Sequence, residues 1–191
     1  MLRSSLILSL AIATTLAVPA FSADKPAGGS SVNSLSVSEG KASEVKGNIS
    51  SGKKIPLGWA EKSSVACFPG TRFEMFNGNH VFYRTTLPAG KQIKIKLEPT
   101  DKAKTINLYA LRQSAGGSQP VPPNVESAIS AEASYPIYAR KGGKIIKNAD
   151  DGVRKVEFIS VKQPYSILIG VAGAKGATEG EYKLSVAVEP R

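Results

Sequence analysis

From Lys91 onward, much of the chain alternates between apolar and polar residues. Lys91 to Glu98 reads KQIKIKLE, with Ile93, Ile95 and Leu97 on one side and Lys94, Lys96 and Glu98 on the other. A strict period of two predicts a half-buried β-strand. The preceding segment behaves alike: Val81, Tyr83, Thr85 and Leu87 share one face, and His80, Phe82, Arg84 and Thr86 share the other. Between the two lies Leu-Pro-Ala-Gly, a turn in which proline presets φ and glycine takes the strained position. Further strands are predicted at Thr105–Leu111, Val156–Val161, Tyr165–Val171 and Tyr182–Val188, and weaker ones in LSVS from Leu35 and in EVKGNIS from Glu44. Beyond the N-terminus no window shows a helical period. Ser114–Val125, rich in Pro and Gly, is predicted as a loop, and Ser127–Ser134 as either a strand or a helical turn.

The expected fold is therefore all-β. It is a single antiparallel β-sandwich of jelly-roll type with about seven to nine strands. Its core should hold Ile93, Ile95, Leu97, Leu108, Ile167, Ile169, Tyr182, Leu184 and Val186. The chain has 191 residues. Residues 1–23 place Arg3 before an apolar run from Leu6 to Val18 and then small residues, the layout of a cleaved export signal. That run is shorter than the roughly 20 residues of a membrane-spanning helix. Cleavage is expected after Ala20 or Ala23. Residues 24–34 read as a Gly/Ser-rich flexible lead, and 35–191 as the sandwich domain. The mature protein is expected in the periplasm or outside the cell.

The formal charge of +10 points to contact with anionic surfaces, and the expected partner is an anionic polymer, an envelope component or a protein. Nucleic acid is not expected, because the densest basic run, RKGGKIIK, has no interleaved aromatics and the chain carries an export signal. That run supplies the first candidate binding surface, Arg140, Lys141, Lys144 and Lys147. The same pattern also fits a Gly-Gly hairpin whose lysines guard strand edges.

Few residues have the chemistry for catalysis. His80 is the only histidine and Cys67 the only cysteine. An imidazole base needs a nucleophile within reach, yet no GxSxG elbow occurs, and ACFPG does not resemble the start of a nucleophile helix. His80 is read as the first residue of a strand. With Phe82 and Arg84 it forms the second candidate binding face. Cys67 is expected to be buried and reduced, and no intrachain disulfide can form. One His and one Cys do not make a usual zinc site. For calcium the only compact oxygen set is Asn148, Asp150 and Asp151 in KNADDG, apart from a lone Asp101. The EF-hand spacing is absent, and Asp-Asp-Gly is equally ordinary turn chemistry. Trp59 is read as core or domain-edge packing. The favoured function is a non-catalytic binding module without a cofactor. The alternative is a secreted hydrolase whose site assembles only in the fold.

The order of these elements resembles the bacterial pre-peptidase C-terminal domain. The resemblance rests on Pro88-Ala89-Gly90 after an aromatic strand, Leu108-Tyr109 after an acidic turn, and Gly180-Glu181-Tyr182-Lys183-Leu184 opening the last strand. It spans Val45 to Val188, with an insertion between Arg112 and Ser134. It implies a secreted β-sandwich of the kind appended to exported enzymes, some of which bind matrix polymers or calcium. No protease segment precedes it in this chain.

Overall fold

A computed structural model of the chain describes residues 31–136, 138–141, 144–147 and 150–191. The expected export signal and most of the expected lead lie outside these residues. Nine strands form two sheets. The first sheet runs β1 (Val32–Ser34), β3 (His80–Leu87), β10 (Tyr165–Gly173), β5 (Ile106–Ser114), β6 (Ser130–Ser134). The second runs β2 (Ser43–Asn48), β11 (Glu181–Pro190), β4 (Lys91–Pro99), β9 (Arg154–Ile159). All pairings are antiparallel except β1 with β3. A separate ribbon pairs β7 (Tyr138–Lys141) with β8 (Lys144–Lys147).

The alternation in the sequence maps directly onto the second sheet. In β4, Ile93, Ile95 and Leu97 are buried while Lys94 and Lys96 face solvent in part. All nine expected core residues are buried in one cluster between the sheets. The turn at Pro88–Gly90, with Gly90 at φ 71°, does not close a hairpin within a sheet. It carries the chain from β3 in one sheet to β4 in the other, and the chain crosses again between β4 and β5, β9 and β10, and β10 and β11. This repeated crossing makes the sandwich a jelly-roll type. Inside the core, the Tyr83 and Tyr182 hydroxyls pair at 2.8 Å, tying the two sheets together without a charge.

Two segments differ from expectation. Val32–Ser34, read as part of the lead, forms β1, because the edge of β3 offers unpaired backbone groups and Val32 packs on a second core. Ser130–Ser134, left open by the sequence, is a strand, since β5 supplies a ladder partner from Leu108 to Arg112.

The five-stranded sheet is buried on both faces. Residues 49–79 fold into three short 3-10 turns, Ile49–Ser51, Gly58–Glu61 and Gly70–Met75, and together with the 115–129 loop they cover its outer face. The second core beneath them gathers Trp59, Phe68, Met75, Phe76, Phe82, Tyr109, Leu111 and Val125. A sheet buried on both sides has no reason to alternate, and YSILIGVAG is accordingly apolar through most of its length. Arg154 bridges the layers. Its Nε donates to Asn107 Oδ1 at 2.8 Å and its guanidinium grips both oxygens of Asp150, while Asn107 donates to the Met75 carbonyl.

A close approach in the second core is at Gly170. A Cβ there would stand 2.2 Å from Cζ of Tyr109, whose ring is fully buried against the glycine. Gly170→Ala is therefore expected to destabilise the protein by about 1–3 kcal/mol through overpacking. Chemical denaturation followed by Trp59 fluorescence measures it. A variant as stable as the parent would mean that the ring can shift aside.

Candidate functional site

His80 opens β3, as the sequence predicts, but it does not present a face to solvent. His80 and Phe82 are 1% and 0% exposed, under the layer of 3-10 turns. The second candidate surface is thus corrected: two of its three members lie inside the second core, because the 49–79 segment needs an apolar floor and the outer face of β3 supplies it. The His80 Nδ1 lies 3.1 Å from the Gly78 carbonyl. A carbonyl only accepts, so Nδ1 carries the proton and Nε2 is left as a buried lone pair. Burial lowers the imidazole pKa from 6.5 to about 4, against the opposing pull of the Gly78 carbonyl.

Cys67 lies in the same cluster, buried and reduced as expected. Its Sγ points to the Glu132 carbonyl at 3.8 Å, not to His80. Burial first, and the Glu132 charge second, push its thiol far above the usual range. The pair therefore offers neither a thiolate nor an accessible base at neutral pH. Trp59 is 3% exposed and packs on Tyr109 with ring centroids 5.5 Å apart. Phe68, Phe76, His80 and Phe82 complete the ring of aromatic groups around Tyr109. The sequence signal for this layer was the density of Trp59, Phe68, Phe73 and Phe76 in a segment with no strand period.

Arg84 is the member of the second surface that remains half-exposed. Both Nη1 hydrogens are engaged, by Gln113 Oε1 at 3.1 Å and Ser166 Oγ at 3.0 Å. Nη2 donates to the Gln119 carbonyl at 3.0 Å. Gln113 in turn donates to the Pro120 carbonyl, so this corner fastens the 115–129 loop onto the sheet.

The first candidate surface falls on the β7–β8 ribbon. Its register pairs Lys141 with Lys144, Arg140 with Ile145 and Tyr138 with Lys147. No acid occurs between Glu132 and Asp150. On the four-stranded sheet, by contrast, lysines meet glutamates: Lys94 with Glu189, Lys96 with Glu98, and Lys183 with Glu44 and Glu98.

In the calcium candidate, Asn148 lies outside the described residues. Both carboxylate oxygens of Asp150 are held by the Arg154 guanidinium at 2.7 and 3.1 Å, and Asp151 accepts from the Val153 amide. Asp101 caps its own turn at the Ala103 amide. Asp150 and Asp151 thus act as turn and ion-pair residues here. Among the described residues no group of three His, Cys, Asp or Glu side chains converges on a metal-sized site, and no helix is long and apolar enough to cross a membrane.

No family model matches the chain, and no curated protein does. Similar solved structures include the pre-peptidase C-terminal domain of a Bacillus anthracis collagenase, at 11% identity and a TM-score of 0.37, covering 81% of this chain and 93% of that one. Another is PliG of Aeromonas hydrophila, a periplasmic inhibitor of g-type lysozyme, at 14% identity and a TM-score of 0.41, covering 82% and 95%. A third is CorA of Methylomicrobium album BG8, a surface-associated copper-binding protein, at 11% identity and a TM-score of 0.42, covering 82% and 96%. Likeness at this level carries no ligand or partner from those proteins to this chain.

The buried neutral imidazole makes stability depend on pH. The folded pKa of about 4 lies below the ordinary 6.5, so between these values the unfolded chain binds more protons. Stability from this group is complete above about pH 6.5 and falls as the pH drops toward 4, by about 2–3 kcal/mol at pH 4.5. His80→Asn keeps a donor toward the Gly78 carbonyl but does not titrate. Urea unfolding at pH 7.5 and 4.5 should show a smaller acid loss in the variant. Equal losses in both proteins would show that His80 is not the group responsible.

Proposed function

We propose that the protein is an exported, non-catalytic β-sandwich module that binds an anionic polymer or envelope component through its basic ribbon. The observation that carries this reading is the fate of the single histidine and the single cysteine. Both lie under the 3-10 layer, and burial holds the imidazole neutral and the thiol protonated. The hydrolase alternative needs a nucleophile and a base that meet substrate, and its most plausible pair is enclosed. Binding needs only a surface of the right charge. On the four-stranded sheet several lysines are paired with glutamates, while β7 and β8 carry four basic residues and no acid. Export rests on Arg3, the apolar run and the small residues that follow it.

Retention on an immobilised anionic polysaccharide and on envelope fractions tests this at low and high salt. Raising NaCl from 50 to 500 mM should weaken retention at least tenfold, because exposed charges are screened within about 10 Å at 0.1 M salt and within less above it. Lys141→Glu/Lys144→Glu should weaken it similarly at low salt, with an unchanged melting temperature. Retention indifferent to salt and variant would discard the electrostatic mechanism, and no retention at all would remove the module reading. The intact mass of the protein from its native host tests export: loss of residues 1–20 or 1–23 is expected, and an uncleaved cytosolic chain would contradict it.

A further inference from the structure

Arg84 does more than fasten a loop. A guanidinium has five N–H donors. Three are taken by Gln113, Ser166 and Gln119, all neutral acceptors. The Nε–H and one Nη2–H remain, and Nε is not among the buried unpartnered atoms. No acidic side chain pairs with this cation among the described residues. Half-buried cations ordinarily find a carboxylate. Here the guanidinium is instead locked in orientation by three fixed bonds, with Nε–H and one Nη2–H unused.

The surroundings are polar and neutral. Thr86 is exposed, Ser166 is half-buried, and the two stand opposite one another on β3 and β10. Neighbouring strands lie about 4.8 Å apart, a span that one sugar ring bridges. The Ser166 oxygen accepts from Arg84, which leaves its own hydrogen free to donate outward, and the Thr86 hydroxyl has no bond among the described residues. This end of the outer sheet face lies beyond the aromatic layer, beside the small exposed residues Ser114–Ser118.

We propose that Arg84, Thr86 and Ser166 form a recognition site for a carboxylated saccharide, with the two unused donors of Arg84 taking the uronate carboxylate and the two hydroxyls taking ring oxygens. Two coplanar N–H donors match the two oxygens of a planar carboxylate, the pairing for which arginine is best shaped. Neutral hydroxyl donors beside it suit a polyol and give a string of further acidic groups nothing to bind. The site deepens the anionic-polymer reading and rests on it: the ribbon supplies nonspecific attraction, and Arg84 reads the chemistry of one residue of the polymer.

Calorimetry of the mature protein with trigalacturonic acid at 150 mM NaCl tests it. The wild type should bind. Arg84→Gln should bind at least tenfold more weakly. Because that change also loosens the loop, Thr86→Glu is the second variant: it removes no observed hydrogen bond, sets a like charge beside the carboxylate, and should lower affinity at least tenfold with an unchanged melting temperature. The inference is overturned if the wild type does not bind the trisaccharide, if Thr86→Glu binds it as the wild type does, or if maltotriose or triglutamate binds as well as trigalacturonate. Failure of this site leaves salt-sensitive polymer retention intact, whereas failure of the module reading abolishes that retention in the wild type.

Discussion

The packing of Tyr109 against Gly170 sets the terms for the rest of the molecule. The tyrosine ring lies where any side chain at position 170 would be, so β5 and β10 present a flat aromatic floor on the outer face of their sheet. Around that floor the 49–79 segment arranges Trp59, Phe68 and Phe76. A segment with no regular helix or strand of useful length is thereby held by apolar burial and ring contacts, with backbone bonds such as Gly78 to Gly173 and Asn79 to Ala177 fastening its end to the sheet. The sandwich becomes three layers, and the sheet that would have been a surface becomes an interior.

This burial decides the chemistry. The groups with the reactivity to serve a hydrolase, Cys67 and His80, are placed by their sequence neighbours on that same floor. The cost of charging either in an apolar setting keeps both neutral. Tyr109 OH, Trp59 Nε1 and His80 Nε2 share the enclosure without partners among the described residues, a polar load of about 1–3 kcal/mol each. The aromatic layer is thus where the fold is least saturated with hydrogen bonds, and acid finds it through His80.

The two surfaces proposed for binding lie at the margins of this interior. One margin is the β7–β8 ribbon, which belongs to neither sheet. The other is the open end of the outer sheet face, where Arg84 and its neighbours emerge beyond the aromatic cover. The same strand, β3, passes from a buried histidine to a half-exposed arginine within five residues. Interior and candidate surface differ only in how far the covering layer reaches.

The alternation of KQIKIKLE and of EYKLSVAV was enough to specify strands, their inward faces and the nine expected core residues, because in a sheet with one solvated face the side-chain period is the burial pattern. The turn at Pro88–Gly90 was legible for the same local reason, since φ preference is a property of the residue. Which strands would meet was not legible, nor was the parallel edge strand β1, because ladder partners are chosen across separations that no local pattern records. The face of His80 and Phe82 was read correctly as one side of a strand and wrongly as a surface. Alternation tells the two sides apart, but only the tertiary arrangement decides whether both are covered. Likewise RKGGKIIK was legible as charge, while the register that pairs Lys141 with Lys144 and Tyr138 with Lys147 is a property of the pairing. Local sterics and side-chain period were written in the chain. Coverage, partnership and the two unused donors of Arg84 came from long-range packing, where each residue's surroundings are supplied by residues far away in sequence.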